Sequence, residues 1–328
     1  MPRFLELLVN RIRDDFARWN EFNKSPRTAI HSIDGVIELM PISDGSRFCF
    51  KFVNGHPKNY FIGLPTVMAF GVLAEVDTGW PIILSEMTFL TALRTAATSV
   101  VAAQALANIG PKSMAVIGNG AQSEFQILAF HYSMGVSRIN LFDISAQASQ
   151  KALANLKHVA GLELLVHDSG RAAVENSEIV TTSTASKARV SVLTADMIEP
   201  GMHINAIGGD CPGKTEIDPE VLERARVFVE FDPQTRVEGE IQQMLPSFPV
   251  TELWQVLAGQ SPGRTSPADI TLFDSVGFSI EDFSTLNLVY ELARSHELGT
   301  EIELIPNIED ARNLYGSLVQ GLSPMEID

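Results

Sequence analysis

The stretch that most constrains this fold is a short apolar run, Ser113–Ile117, followed at once by Gly118-Asn-Gly120-Ala-Gln-Ser123 and the helical pattern of Ala121–Tyr132. In a strand, glycine turn and helix of this kind, the first glycine makes the tight bend. The second lets the backbone approach a pyrophosphate at the helix N-terminus. Ser123 stands where a third Gly or Ala is usual. Asp143 ends the next strand-like run, Arg138–Phe142, 23 residues after Gly120. An acid there takes the adenosine ribose hydroxyls and rejects a 2′-phosphate. The competing reading is a glycine turn and an acidic strand cap in some other parallel-sheet protein. The four features together predict a dinucleotide site and favour NAD over NADP.

The rhythm around this motif is that of an α/β chain. Ser145–His158 is helical and Leu162–Val166 strand-like, and the alternation continues through Glu178–Thr182, His203–Ile207, Arg226–Glu230 and Ile270–Phe273. Strands alternating with helices over short connections predict a parallel sheet. The first hundred residues differ. Phe4, Leu7, Leu8, Ile12, Phe16 and Trp19 recur at helical spacing. Strand-like Gly35–Met40, Arg47–Val53, Thr66–Leu73 and Trp80–Ser85 follow, separated by good turn chemistry such as Asp44-Gly45. This predicts an α+β domain around an antiparallel sheet, joined to the next by a linking helix over Thr88–Ile109. A helix over Ser279–His296 and a strand over Glu301–Ile305 close the chain.

Composition narrows the function. The 328 residues carry 24 Lys and Arg against 40 Asp and Glu, a net charge of −16. Such a chain repels phosphate backbones and anionic lipid, so neither nucleic acid nor a membrane surface is an expected partner. Cys49 and Cys211 form no C-x-x-C pair, which excludes a disulfide framework. No stretch offers about 18 uninterrupted apolar residues, and the N-terminus has no signal-peptide pattern; a cytoplasmic protein is expected. The seven histidines form no H-x-x-x-H or H-E-x-x-H pair, so no metal site is expected. Trp19, Trp80 and Trp254 are most simply core.

Gly208-Gly-Asp-Cys-Pro-Gly213-Lys214-Thr215 fits the phosphate-binding pattern G-x-x-x-x-G-K-[ST] letter for letter. Three features argue against nucleotide hydrolysis: Asp210 puts a negative charge inside the loop, Pro212 removes a donor, and Pro219 leaves little room for an immediate helix. Cys211 reads as a spacer in the loop. Arg27, Glu38, Lys51 and Arg94 are charges set among apolar or turn-forming stretches. Each on its own reads as a solvated face.

Taken together, Val36-Ile-Glu-Leu-Met-Pro41, Phe50-Lys-Phe-Val-Asn-Gly-His-Pro57, Leu93-Arg-Thr-Ala-Ala-Thr98, Ile117-Gly-Asn-Gly-Ala-Gln-Ser-Glu124, Asn205–Thr215 and Phe273-Asp-Ser-Val-Gly277 resemble the ornithine cyclodeaminase/μ-crystallin family. The resemblance runs from about Arg13 to about Ile305. Around Asp210 it is to the cyclodeaminase branch rather than the ketimine-reductase or alanine-dehydrogenase branches. It implies a substrate-binding and dimerising domain, 1–104, to which 276–328 returns, and a Rossmann-type NAD domain, 105–275. It implies a homodimer that turns L-ornithine into L-proline and ammonia, NAD being recycled in each turnover.

On the family's pattern Arg27, Lys51 and Arg94 hold the substrate carboxylate, Asp210 is the catalytic acid/base, and Glu38, Met40 and Val276 line the pocket. Lys51 and Glu38 join Asp210 as candidate catalytic groups. Thr66, Arg94, Gly118, Gly120, Ala121, Gln122, Asp143, Thr184, Asn205, Gly208, Lys214 and Ser275 fall on cofactor positions. Family members usually carry a further N-terminal segment, including a strand, before the helix that begins this sequence, and Tyr60–Pro65 is more apolar than the pattern suggests.

The chemistry implied is oxidation of the α-amine carbon, attack of the δ-amine, loss of ammonia and return of the hydride. The δ-amine attacks only when deprotonated. An ordinary carboxylate near 3.9 and an alkylammonium near 10.4 are about 6.5 units apart. The site has to close that gap by desolvation, so Asp210 is expected to be shielded once substrate is bound. An amino-acid dehydrogenase or ketimine reductase of the same family is the enzymatic alternative, and a crystallin-like ligand-binding protein without turnover the other.

Overall fold

The structure is a computed structural model and describes residues 1–185 and 189–321, without the side chains of Tyr60, Gln320 and Gly321. Residues 1–290 form one compact unit, and the described residues from 291 onward a second.

The first unit opens with α1 (Pro2–Ala17), Pro2 sitting in the first turn where its missing N–H costs nothing. Leu5, Leu8, Ile12 and Phe16 form its buried stripe, which packs against the helices α2 (Thr88–Leu106) and α3 (Ser123–Met134). Between α1 and α2 lie β1 (Asn23–Lys24), β2 (Thr28–Ser32), β3 (Gly35–Ser43), β4 (Arg47–Gly55), β5 (Val67–Glu75) and β6 (Pro81–Glu86). They make an antiparallel sheet of order β1-β3-β4-β5-β6, with β2 also on β3.

The burial of this sheet is inverted with respect to polarity. Glu38, Met40 and Lys51 face inward and are buried, whereas Ile37, Leu39, Phe48, Phe70 and Leu84 face outward and are exposed. The inner face receives the helix α9 (Ser279–Ser295) through Leu286 at Gly71, where a Cβ would lie only 2.8 Å from the Leu286 side chain.

A parallel sheet follows: β7 (Ser113–Ile117), β8 (Arg138–Phe142), β9 (Glu163–Val166), β10 (Ile179–Thr182), β12 (His203–Ala206), β14 (Arg226–Val229), β15 (Thr251–Glu252) and β16 (Thr271–Asp274), in the order β15-β14-β16-β12-β10-β7-β8-β9. The central strands β7, β10, β12 and β16 are buried at every position, as expected of a sheet covered on both faces. The helices α4 (Ala146–Leu156), α5 (Gly170–Val174), α6 (Pro219–Arg224), α7 (Asp232–Glu238) and α8 (Leu253–Leu257) are interspersed. A separate pair, β11 (Arg189–Leu193) with β13 (Thr215–Ile217), is parallel. The two sheets bear out the α/β class with an antiparallel companion.

Several expectations change. The Gly-Lys-Thr run leads into the strand β13, not a helix, so the phosphate-loop reading fails as argued. Trp80 is 53% exposed, in the turn before β6, and is not core. Trp19 is buried and stacks on the half-buried Trp254 with ring centroids 6.3 Å apart. Helix α2 is long and apolar enough to span a membrane by composition, yet 67% of its window is buried inside the protein. In the second unit the alternating Glu301–Ile305 forms no strand, and the helix α10 (Leu314–Gly321) follows it. Alternation alone gives no strand where no neighbouring strand offers its hydrogen bonds.

Candidate active site

The parallel sheet reverses its strand order between β7 and β10, and open α/β sheets bind ligands in the crevice at such a point. Gly118 ends β7 with φ +94°, and a Cβ on it would fall 2.8 Å from the Ser183 backbone, so only glycine fits. Gly120 has open space where a side chain would stand. Ser123, the departure from the usual third glycine, is buried and donates to the Gly120 carbonyl at 2.9 Å, bracing the turn. The Asp143 carboxylate accepts from the backbone N–H groups of Asn119 (2.6 Å) and Ser145 (2.8 Å).

Gln122, at the N-cap of α3, makes no side-chain capping hydrogen bond among the described residues. Asn119 Oδ1, Gln122 Oε1 and Asn205 Nδ2 are buried without a hydrogen-bond partner among the described residues. Buried polar atoms are normally satisfied. Orphans at the carboxyl ends of β7 and β12, an uncapped helix and an open glycine fit a dinucleotide. Ala121 lies in the same turn, Thr184 donates to Glu216 and Ser275 to Glu230 at 2.5 Å. Thr66 is tied to the antiparallel sheet, its carbonyl accepting from His56 N–H at 2.8 Å.

Arg27, Lys51 and Arg94, each unremarkable by its spacing, are buried together. Arg27 pairs with Glu38 and Glu238, both at 3.1 Å, and donates to the carbonyls of Val276 (2.6 Å) and Gly277 (2.7 Å). Lys51 lies 2.9 Å from Asp282, which also lies 3.1 Å from Arg94 Nε. Arg94 further pairs with Glu281. Met40 is buried opposite Lys51 in the β3–β4 register. Burial, helped by the charge of Arg94, lowers the Lys51 pKa to about 8.

Asp210 is 54% exposed at its side chain and 3.2 Å from the buried Lys214. Its charge acts on Arg27 and on Glu238.

The acids Glu216, Glu230, Glu238, Glu240, Asp274, Glu281 and Asp282 are buried here and were missed by pattern. Glu281 and Asp282 read in sequence as ordinary first-turn helix acids. Three inward cations needing counter-charges were the signal that could have found them.

Burial is the main cause that raises Glu230, Glu238 and Glu240 to about 7 each. An acid raised by folding stabilises the fold fully below its unfolded value, near 4.5, and loses that stability as pH rises through about 7. His203, held neutral by burial with its pKa lowered to about 3, acts oppositely below about 6.5, but as one group against three. The melting temperature is therefore expected to be higher at pH 5.5 than at pH 8, as read by calorimetry. A higher value at pH 8 would contradict this.

Comparison with known proteins adds the lineage. The sequence model of the "Ornithine cyclodeaminase/mu-crystallin family" matches residues 2–297. Ornithine cyclodeaminase of Agrobacterium fabrum is 53% identical over 98% of this chain and 90% of its own length. That of Brucella suis is 52% identical over 97% and 88%. Among solved structures, a lysine cyclodeaminase studied for recognition of L-lysine, L-ornithine and L-2,4-diaminobutyric acid superposes with TM-score 0.91 at 26% identity, over 97% of this chain and 94% of that one. An archaeal alanine dehydrogenase dimer with bound NAD gives TM-score 0.86 at 30% identity, over 92% and 95%.

Proposed function

Because the chain belongs to the ornithine cyclodeaminase/mu-crystallin family, we propose that it converts L-ornithine to L-proline and ammonia, using NAD bound in the crevice beside Gly118. The observation that carries this reading is that the buried side chains of Arg27, Lys51 and Arg94 lie close enough to act on one another's charge, with Arg27 also within electrostatic reach of Asp210. Asp143 follows β8 with no basic residue beside it, which suits NAD.

Arg27 and Arg94 offer forked donors to the α-carboxylate and Lys51 a third charge, each charge-assisted bond contributing about 1.5–3 kcal/mol. Substrate takes over part of the bonding that Glu38, Glu238 and Asp282 now satisfy. Met40 and Val276 line the apolar side. When bound, NAD supplies the acceptor and later the donor of one hydride, so the net reaction involves no oxidation. Asp210, with Glu38 nearby through Arg27, accepts the proton that frees the side-chain amine; that amine attacks C2, and ammonia leaves. Substrate covering the half-exposed Asp210 shields it from water.

The test is ammonia release from ornithine, lysine and 2,4-diaminobutyrate at catalytic NAD. Ornithine is expected to be the best substrate, with no lasting NADH absorbance. Accumulating NADH would instead identify a dehydrogenase of the same family, like the alanine dehydrogenase relative.

The same reading divides the first unit into a substrate-binding part, 1–104 with 276–290, and an NAD-binding part, 105–275. It also makes the protein a homodimer, supported by the apolar outer face of the antiparallel sheet. Exposed apolar patches of this kind mark interfaces. Light scattering is expected to give twice the mass of one chain, and Leu39→Glu with Phe70→Glu to give monomers. A monomeric parent would refute the dimer.

A further inference from the structure

Residues 238–243, Glu-Gly-Glu-Ile-Gln-Gln, carry no recognisable motif, yet every long polar side chain in them is engaged with Arg27 or with residues 213–217. The segment runs from the end of α7 into a single turn of tight helix, Glu240–Gln243. Glu238 lies 3.1 Å from Arg27. The Glu240 carboxylate accepts from the backbone N–H groups of Glu216 (2.9 Å) and Ile217 (2.9 Å). Gln242 accepts from Gly213 N–H at 2.6 Å and donates to the carbonyl of Lys214 at 2.9 Å. Gln243 donates to the carbonyl of Ile217 at 2.9 Å. The turn is itself anchored, because Asp274 at the end of β16 accepts from the N–H groups of Glu240 and Ile241, both at 2.9 Å.

The glycines of the Asp210 loop belong to the same arrangement. A Cβ on Gly208 would lie 2.0 Å from the Glu216 carboxylate, and one on Gly209 would lie 2.5 Å from Glu240 Oε1. A Cβ on Gly239 would lie 2.7 Å from both Asp274 oxygens. These glycines make room for carboxylates. The two that open the phosphate-loop-like pattern thus have a packing role that the pattern concealed.

We propose that the segment 238–243 is a positioning clasp that sets the spacing between Arg27, on the substrate-carboxylate side, and the loop carrying Asp210. The proposal rests on the roles given above to Arg27 and Asp210. One end of the clasp holds a cation and the other holds a loop, so its two halves act on different kinetic constants. Glu238 orients Arg27 and acts on substrate binding. Gln242, partly exposed, holds residues 213–214 and so the approach of Asp210.

The test uses Gln242→Ala and Glu238→Gln in the full-length protein, with Asp210→Asn as reference. Gln242→Ala is expected to lower kcat about 10- to 100-fold, the range for a reacting group misplaced by about 1 Å. Its KM for ornithine, NAD affinity and melting temperature stay close to the parent's. Glu238→Gln is expected to raise KM at least about threefold with the smaller effect on kcat.

If Asp210→Asn is inactive while Gln242→Ala keeps kcat within twofold, the clasp is overturned and the reading of Asp210 stands. A loss in Gln242→Ala wholly explained by a lower melting temperature also overturns it. Near-normal turnover in Asp210→Asn overturns the reading of Asp210 itself.

Discussion

Asp210→Asn is expected to lose between about a hundredfold and ten-thousandfold in ammonia release, the range over which positioned proton transfer contributes, while binding NAD as the parent does. The expectation follows from where the residue stands. Asp210 belongs to the loop after β12, its side chain is 54% exposed, and it pairs with Lys214 at 3.2 Å. It supports no core packing, so its removal leaves the fold intact and isolates the chemistry. Asparagine keeps the shape and can still accept a hydrogen bond, but it cannot take up the proton of an ammonium. The measurement is single-turnover ammonia release beside NAD binding followed by fluorescence. Turnover within a few-fold of the parent would assign the proton to another group, such as Glu38, which lies 3.1 Å from Arg27.

Asp282→Ala is expected to act on the fold as well as on the site. Asp282 is fully buried and bridges Lys51 on β4 and Arg94 on α2 from the first turn of α9. Removing one partner of a buried ionic group leaves the others uncompensated in a poorly solvated place, at a cost of about 3–5 kcal/mol. For a protein of 328 residues that lowers the melting temperature by roughly 4–7 °C. Asp282 also opposes the burial that pulls Lys51 down to about 8, so without it Lys51 loses its proton at lower pH. The rise of the ornithine KM on the alkaline side should therefore begin at lower pH. Calorimetry and a pH profile of KM check both parts. A variant melting within 2 °C of the parent, with an unmoved profile, would show that Asp282 is dispensable.

The fold was legible where local pattern and tertiary context agree. Strands β7 and β8 match their expected bounds residue for residue, because a buried parallel strand is a continuous apolar run closed by a turn signal. Strands β11 and β13, by contrast, pair with each other and with no other strand among the described residues, and Thr215–Ile217 is too short to carry a period. In Glu301–Ile305 the period is present and the strand is not.

The glycine turn was readable because its chemistry is contiguous. The cation cluster was not, since Arg27, Lys51 and Arg94 come from a loop, a strand and a helix, and only the resemblance drew them together. Their counter-ions were invisible for a different reason. Acids at a helix start satisfy a local rule, and nothing local says that Glu281 and Asp282 are buried. The segment 238–243 is likewise polar throughout its long side chains, and polarity in sequence reads as surface.

Strand β4 spells Arg-Phe-Cys-Phe-Lys-Phe-Val, its phenylalanines turned outward and Lys51 inward. Side chains alternate with a period of two, so a slip of one residue exchanges the faces. A single deletion between Arg47 and Lys51 would carry an aromatic ring into the pocket and leave an ammonium on the apolar outer face. On the proposed roles of Lys51 and of the apolar outer face, substrate binding and subunit association are encoded in one strand, in antiphase. Substitutions can tune either property alone, but a change in length within this strand would remove both at once.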